Sequence, residues 1–511
     1  MTEHAQHPTG VKTSPGRHVI VIGSGIGGLL AARVLADHFE GVTVIDRDHF
    51  SEAPDHRGGV PQSRHAHGLL PLGLTIISEL FPGIEDELRS DGATVARDTF
   101  PVRIVSPAGP LLMRPWSGEI LMFSRVLLEW RLRQRLAAHP RLHFLPDTEA
   151  LGLSTEVSDA RPVGRVSGVR VRYRQGSGAG VLDTDLVVDA SGRGSKAPQW
   201  LAALGYGEVT EEVVSSQLGY ASRFYAKPEG FPSEWLGLIV NGRPPHNPRA
   251  GLVLAIENER WHVTVGGFAG AEPPTDEAGF RQWARDLPDP CLYEAIRVAR
   301  PLTPIRGWRT PTNRLRRFER VAPWPAGFVV TGDAVCALNP IYGQGMTVSA
   351  TDALVLQKCL TDHFGGTKAG FERTFQRRLA KNVAMPWLVA SSEDTRWPGV
   401  ELRGARLPLG TSLIQRYLDL VMRAAMHDLD LSEKYLNMIL MTAHPKTLFA
   451  PGVLARVAGH ALAGRTRTAP QRFALSPQGL AAARRLPSYD PRSDTGSQRD
   501  AVAPPIPGTP R

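Results

Sequence analysis

The sequence predicts an α/β protein: a mainly parallel sheet of nucleotide-binding type, an inserted antiparallel sheet, and a helical region towards the C-terminus. Three observations predict it. An almost wholly apolar run, His18-Val-Ile-Val-Ile22, leads directly into Gly23-Ser-Gly25-Ile-Gly27-Gly28 and a helical pattern, as a buried parallel strand feeding a helix does. From Val213 to about Leu302 the texture becomes alternating and β-rich. Beyond residue 366 helical periodicity dominates.

The first unit is Rossmann-like. Glycines at 23, 25 and 28 match G-x-G-x-x-G, where missing side chains permit a tight turn and let a pyrophosphate approach the helix start. A second strand, Val42–Ile45, ends in Asp46, placed to accept from ribose hydroxyls. Strand, glycines, helix, strand and terminal acid in this order make dinucleotide binding a stronger reading than the glycines alone would. The polar loop Arg57-Gly-Gly-Val-Pro61-Gln62-Ser-Arg64-His65-Ala-His67-Gly68 follows. It is either a structural loop whose histidines bond to backbone, or a loop along the cofactor with Arg57 or Arg64 near phosphate. His65 and His67, two apart, point to opposite sides of an extended chain and suit no metal.

Residues 86–117 depart from the nucleotide unit with short β-type runs. Ser124 is expected to cap a helix whose first turn carries Arg125, a solvated charge or a cofactor contact. Strands return at Val166–Tyr173, with a turn at 176–180, and lead to Asp185-Leu-Val-Val-Asp189-Ala-Ser-Gly192-Arg193-Gly194-Ser195, where a second buried strand ends in an acid and glycines. Gln217–Tyr225 alternates, and Leu252–Ile256 with Trp261–Val265 reads as a hairpin over a polar four-residue turn. That sheet can wall a substrate cavity; His262 and Tyr220 either face it or serve packing.

Past the middle comes Gly327-Phe-Val-Val-Thr-Gly332-Asp333-Ala, then Asn339-Pro340-Ile-Tyr-Gly343-Gln344-Gly345-Met346 and an apolar run holding Asp352. A strand delivers one acid at its C-terminal end, a proline loop follows, and a glycine-flanked turn opens a helix. The arrangement suits a flavin. Asp333 can bond polyol hydroxyls, and the unpaired N–H groups at the helix start, Gly343 to Gly345, can face a ring that becomes negative. Helices are expected at 370–389, 412–426 and 431–442, with Pro386–Pro398 breaking the pattern and either closing the cavity or seating the helices.

Composition sets limits. At 511 residues, 42% hydrophobic and 21% charged, the chain has the makeup of a globular protein with sizeable cores. Three scattered cysteines form no disulfide framework or zinc site and fit a reducing compartment, so a cytoplasmic protein without an integral membrane segment is expected. The formal charge of +9 raises nucleic acid as a partner, but from Arg465 onward eight arginines face three aspartates, more than half of the excess. A solvated tail is expected there, and no nucleic-acid partner.

With these residues laid out, the chain resembles the class A flavin monooxygenases of the para-hydroxybenzoate hydroxylase fold. Gly23, Gly25, Gly28 and Asp46 match that family's FAD fingerprint, Asp189–Ser195 resembles its second motif, and Gly332-Asp333 through Asp352 its third. The 61–67 loop and the Asn339–Met346 stretch resemble the squalene-epoxidase-like flavin epoxidases of polyether polyketide biosynthesis. The resemblance implies FAD and O2 as cofactors, and NAD(P)H or a partner flavin reductase as electron source. It also implies a hydrophobic small-molecule substrate and transfer of one oxygen from a flavin C4a-hydroperoxide, as epoxidation of a polyketide or terpenoid alkene. Aromatic hydroxylation and non-oxygenating reduction of prenyl double bonds are the alternatives. Pro340, Gly343, Gln344 and Gly345 would then form the catalytic floor. Gly332, Asp333, Gly343, Gly345, Met346, Arg57, Arg64, Arg125 and Asp189 would hold FAD, with Gly23, Gly25, Gly28 and Asp46.

The expected division is an FAD-binding domain from 17–85, 118–205 and 305–365, and a substrate-binding β domain from 86–117 and 206–304. A helical region at 366–464 follows, with disordered tails at 1–16 and 465–511.

Overall fold

The computed structural model describes residues 17–158, 161–174, 178–232, 234–309, 312–363, 368–467 and 472–491. Five parallel strands form one sheet in the order Phe328–Val330, Leu186–Asp189, His18–Ile22, Gly41–Ile45, Leu142–Leu145. Val19, Ile20 and Val21 are fully buried, because helices cover the sheet: Ile26–Leu35 and Gly345–Asp362 pack against each other over it. Phe371–Asp394 packs beside Gly345–Asp362, and all belong to one large core.

A seven-stranded sheet stands beside it, in the order Arg306–Arg309, Gly219–Ala226, Arg260–Gly267, Arg249–Ile256, Gly237–Val240, Arg103–Ser106, Gly109–Pro110. All its pairs are antiparallel except Gly237–Val240 with Arg103–Ser106. Residues 103–110 therefore complete a sheet whose other strands lie more than a hundred residues later. The hairpin read at 252–265 is present, with Asn258 and Glu259 at φ 60° and 50° in its turn. Val166–Tyr173 lies in the strand Arg161–Tyr173, paired with Ala179–Asp183; residues 175–177 of the expected turn lie outside the described residues.

Two readings need correction. Phe371–Asp394 is one helix that runs through Pro386, so the proline does not end it. Residues 472–491, expected as disordered tail, include the helix Pro477–Arg485, capped by the Ser476 hydroxyl accepting from Gly479 N–H. Leu475, Leu480 and Ala483 are buried in the core of the seven-stranded sheet, and the Asp289 carboxylate accepts from Ala474 N–H at 2.8 Å. Apolar burial spaced among the arginines holds it; the count of arginines hid this. Residues 1–16 and 492–511 lie outside the described residues. All three cysteines are buried and free. Among the described residues no helix is long and apolar enough to cross a membrane.

Candidate active site

The C-terminal ends of the parallel strands open on a cleft of about 400 Å³. Gly23, Gly25, Asp46, Arg125, Gly332, Asp333, Pro340, Gly343, Gly345 and Met346 line it, together with the turn 190–194. Residues from three sequence motifs thus face one space. Gly28 lies behind it: a Cβ there would sit 1.9 Å from the Gly23 carbonyl oxygen, so only glycine allows the turn to close on the helix.

Asp46 is tied into the turn. One carboxylate oxygen accepts from Ser24 N–H at 2.7 Å, from the Ser24 hydroxyl at 2.6 Å and from Arg57 at 3.1 Å; the other accepts from Asp48 N–H. Burial opposes its charge, but Arg57 and these donors hold it below the usual carboxylate range. Arg57 is itself buried, bonded to Glu129, Ser24 and Asp46, and does not line the cleft. Burial disfavours its charge as well, yet Glu129 and Asp46 outweigh that and raise its pKa. This corrects the expectation of Arg57 near phosphate: three carboxylates nearby already neutralise it. Arg64 is exposed and lines neither cavity; its carbonyl accepts from His262 Nε2 at 3.1 Å. Arg125 does line the cleft, at the first turn of the Arg125–Ala137 helix that Ser124 caps. Its Nε is buried without a partner among the described residues, and its terminal nitrogen lies 3.9 Å from where a Gly25 Cβ would be.

Asp189 is fully buried and holds the second turn, accepting from Ser191 N–H at 2.9 Å and from the Ser195 hydroxyl at 2.6 Å. Burial raises its pKa. It positions the backbone and does not itself line the cleft. Asp333 differs: it lines the cleft, and its carboxylate makes no hydrogen bond or ion pair among the described residues.

At the floor, Gly343 takes the left-handed conformation, φ 65°, and its N–H closes a turn on the Pro340 carbonyl at 2.9 Å. That N–H is therefore spent, which corrects its expected role as a donor to the ring. Gly345 and Met346 open the Gly345–Asp362 helix, where no preceding carbonyl can serve their N–H groups. A Cβ at Gly345 would meet open space. Gln344 is buried and lines the neighbouring cavity rather than the cleft, with Oε1 lacking a partner among the described residues. An unpartnered carboxylate, a free helix start and a glycine turn that admits no side chain fit a flavin dinucleotide.

The neighbouring cavity is about 1300 Å³ and meets the cleft at His67, Gly68, Pro340 and Gly343. Leu69, Ile239, Leu254, Met385, Val389 and Leu418 contribute to its apolar lining. His67 stands at the junction. Its Nδ1 is 2.7 Å from the His65 carbonyl, so Nδ1 carries the hydrogen and Nε2 is left as an acceptor. Burial, with Arg125 nearby, lowers its pKa to about 3, and burial lowers that of His65 to about 4; both are neutral at pH 7. His65 bonds to the Ser222 hydroxyl at 2.8 Å and stacks on Trp308. His262 and Tyr220 are buried and line neither cavity. No metal-binding group of His, Cys, Asp and Glu occurs among the described residues.

One feature was not legible from sequence. Asp394, fully buried at the end of Phe371–Asp394, accepts from the Tyr342 hydroxyl at 2.5 Å, Asn313 at 2.7 Å and Asn339 at 3.2 Å. Asn339 Oδ1 accepts from the Tyr220 hydroxyl at 3.0 Å, and Asn339 N–H donates to Asn313 at 2.6 Å. The network holds the Pro340–Tyr342 turn from behind, while Glu393 and Arg396 from the same segment line the large cavity. Burial pushes Asp394 up to about 6.

The fold is one that solved flavin-dependent enzymes have. Two solved structures share it: the flavin-dependent brominase Bmp2, with TM-score 0.60 and 13% identity over 88% of this chain and 100% of that one, and PqsL of Pseudomonas aeruginosa, described as a probable FAD-dependent monooxygenase, with TM-score 0.53 and 16% identity over 74% and 98%. The chain belongs to the family of Protein Rv3254 of Mycobacterium tuberculosis, to which it is 33% identical over 399 residues, 76% of this chain and 82% of that protein. It is also 26% identical to kynurenine 3-monooxygenase of Salinispora arenicola, over 74% of this chain and 80% of that enzyme. No protein-family model matches the chain.

Proposed function

We propose that the protein is a cytoplasmic FAD-dependent monooxygenase that inserts one oxygen atom of O2 into a large apolar substrate, as epoxidation of an alkene in a polyketide or terpenoid precursor. The observation that carries this reading is the apolar cavity of about 1300 Å³ that opens onto the cleft beside Pro340 and Gly343. Ordinary small-ligand pockets span roughly 300–1,000 Å³, so the cavity suits an extended substrate better than a single ring.

The cleft residues take the roles their surroundings allow. Asp333 would accept from the ribityl hydroxyls, the Gly23–Gly28 turn and Arg125 would meet the pyrophosphate, and the Asp46 oxygen that takes only Asp48 N–H would have a lone pair left for the ribose. The N–H groups of Gly345 and Met346 would stabilise negative charge at the ring edge. When bound, reduced FAD with O2 supplies the oxygen-transferring chemistry, with electrons from NAD(P)H or a partner flavin reductase. The chain supplies position and dryness: the apolar walls exclude water, and Pro340 shapes the face past which the substrate enters.

Aromatic hydroxylation is the second reading, supported by the kinship to kynurenine 3-monooxygenase. The test is to reconstitute the purified protein with FAD, add NADPH or a flavin reductase, and offer a polyene and a phenol of similar size. Oxygen uptake with one added oxygen recovered as epoxide is expected. A phenolic product favours the hydroxylase, and turnover without oxygen uptake a reductase of prenyl double bonds. A protein that takes up no FAD would overturn all three.

A further inference from the structure

The C-terminal helices leave apolar side chains in solvent that no core uses. Leu409 is 104% exposed, Leu462 90% and Leu413 66%, and Leu420, Leu454 and Phe449 join them. Single exposed leucines are ordinary on a protein surface, but a group of them on adjoining elements marks an interaction site. These elements do adjoin. The helices Thr411–Ala425 and Pro451–Leu462 pack on each other, and the Tyr417 ring lies 4.9 Å from that of Phe449 in the turn between residues 445 and 449. Within Pro451–Leu462 only Val453 and Val457 are buried, and Arg456 is its one charged residue apart from His460.

The exposed surface reaches the mouth of the large cavity, because Trp116, Ile414 and Phe449 are exposed and line it at the same time, while the leucines stand outside its lining. Lys446 and Arg467 line the cavity, while Arg416 lies on the Thr411–Ala425 helix and Arg465 just past Pro451–Leu462; all four are exposed and without an ion pair among the described residues. Charge selects the occupant. A second copy meeting this face symmetrically would bring the cations against themselves, whereas an anionic lipid surface attracts each of them. The leucines and Trp116 would enter the headgroup boundary, where aromatic and aliphatic side chains flanked by cations are stable.

We propose that this face docks onto an anionic lipid surface, lying in the interface without crossing it, so that the apolar substrate enters the cavity from the lipid. The entry step rests on reading the cavity as the substrate site; docking is measured without FAD or substrate, so it can fail while the oxygenase reading stands, and the reverse.

The experiment is co-sedimentation of the full chain with vesicles of phosphatidylcholine alone or mixed with phosphatidylglycerol. Binding to the mixed vesicles is expected, weakened by salt and several-fold lower on phosphatidylcholine. The variant Leu413→Glu with Leu462→Glu, both outside the cavity lining, should lower vesicle affinity at least about tenfold with FAD uptake unchanged. Arg416→Glu with Arg465→Glu should remove most of the salt-sensitive part. Wild-type protein left in the supernatant with mixed vesicles would overturn the proposal, as would vesicle binding untouched by the leucine variant. A concentration-dependent dimer in the absence of lipid, abolished by the leucine variant, would assign the face to a second copy instead.

Discussion

Among the cleft residues Asp333 has the least to do for the protein itself: it bonds to nothing among the described residues, yet it faces the space where a polyol would lie. Asp333→Ala should therefore leave folding nearly untouched and weaken FAD retention by roughly 1.5–3 kcal/mol for each bond lost to the carboxylate. Fluorescence titration of apoprotein with FAD measures it, and wild-type affinity would place the ribityl chain elsewhere. Asp352 gives an effect of the opposite kind. Burial lifts it from 3.8 to about 7, against the opposing pull of the Asn382 amide, which donates to it at 2.8 Å, and of the Gly332 backbone. An acid raised on folding keeps its proton longer in the folded state, so stability is full below the unfolded value and falls as pH rises through that window. Asp352→Asn keeps the shape without the charge, and its unfolding free energy should fall less over that window than that of the wild type. Equal pH slopes in urea denaturation would show that the carboxylate ionises at no cost. Residues such as Gly23 and Asp333 were legible because strand, glycine and acid are neighbours in sequence. The burial of Arg57 was not, since Glu129, which neutralises it, is 72 residues away.

At the scale of elements, the Pro340–Tyr342 turn is held from outside its own sequence. Three side chains donate to Asp394, and removing the carboxylate leaves buried amides and a hydroxyl without their acceptor. Asp394→Ala should cost about 2–5 kcal/mol of stability and loosen the floor of the cleft, visible as a weaker and less structured flavin absorbance band. Asp394→Asn retains an oxygen acceptor and should lie between the two proteins; a variant as stable as wild type would mean that the turn holds itself. Strand and helix identities were readable wherever periodicity was local, as in the 252–265 hairpin and the helix that Ser124 caps. The continuation of Phe371–Asp394 through Pro386 was not, because packing against the core overrides what the proline alone predicts. The Pro477–Arg485 helix escaped for the same reason: its stability lies in a core formed by residues almost two hundred positions earlier.

At the scale of the molecule, the cavity is a property that no stretch of sequence contains. Its walls come from the seven-stranded sheet, from the 66–70 loop and the first turn of the helix Pro71–Leu80, and from three C-terminal helices, so only the tertiary arrangement encloses it. Seven of the chain's nine methionines line it, among them Met113, Met122, Met385, Met422 and Met438. Unbranched, polarisable thioethers adjust to irregular apolar shapes, which suits an extended flexible substrate more than a rigid ring. The cleft and the cavity share only a narrow junction, so they should respond separately to mutation. Met385 lines the cavity away from the cleft and is not fully buried; Met385→Trp fills space there without touching a residue assigned to FAD. Such a variant should bind FAD at wild-type stoichiometry, lose at least about tenfold in kcat/KM for a long polyene, and keep more of its activity on a short alkene, since an indole displaces the far end of the substrate first. Steady-state oxygen uptake with the two substrates separates the cases. Equal losses on both would mean that the substrate does not extend past residue 385, and the large volume would then not be what selects it.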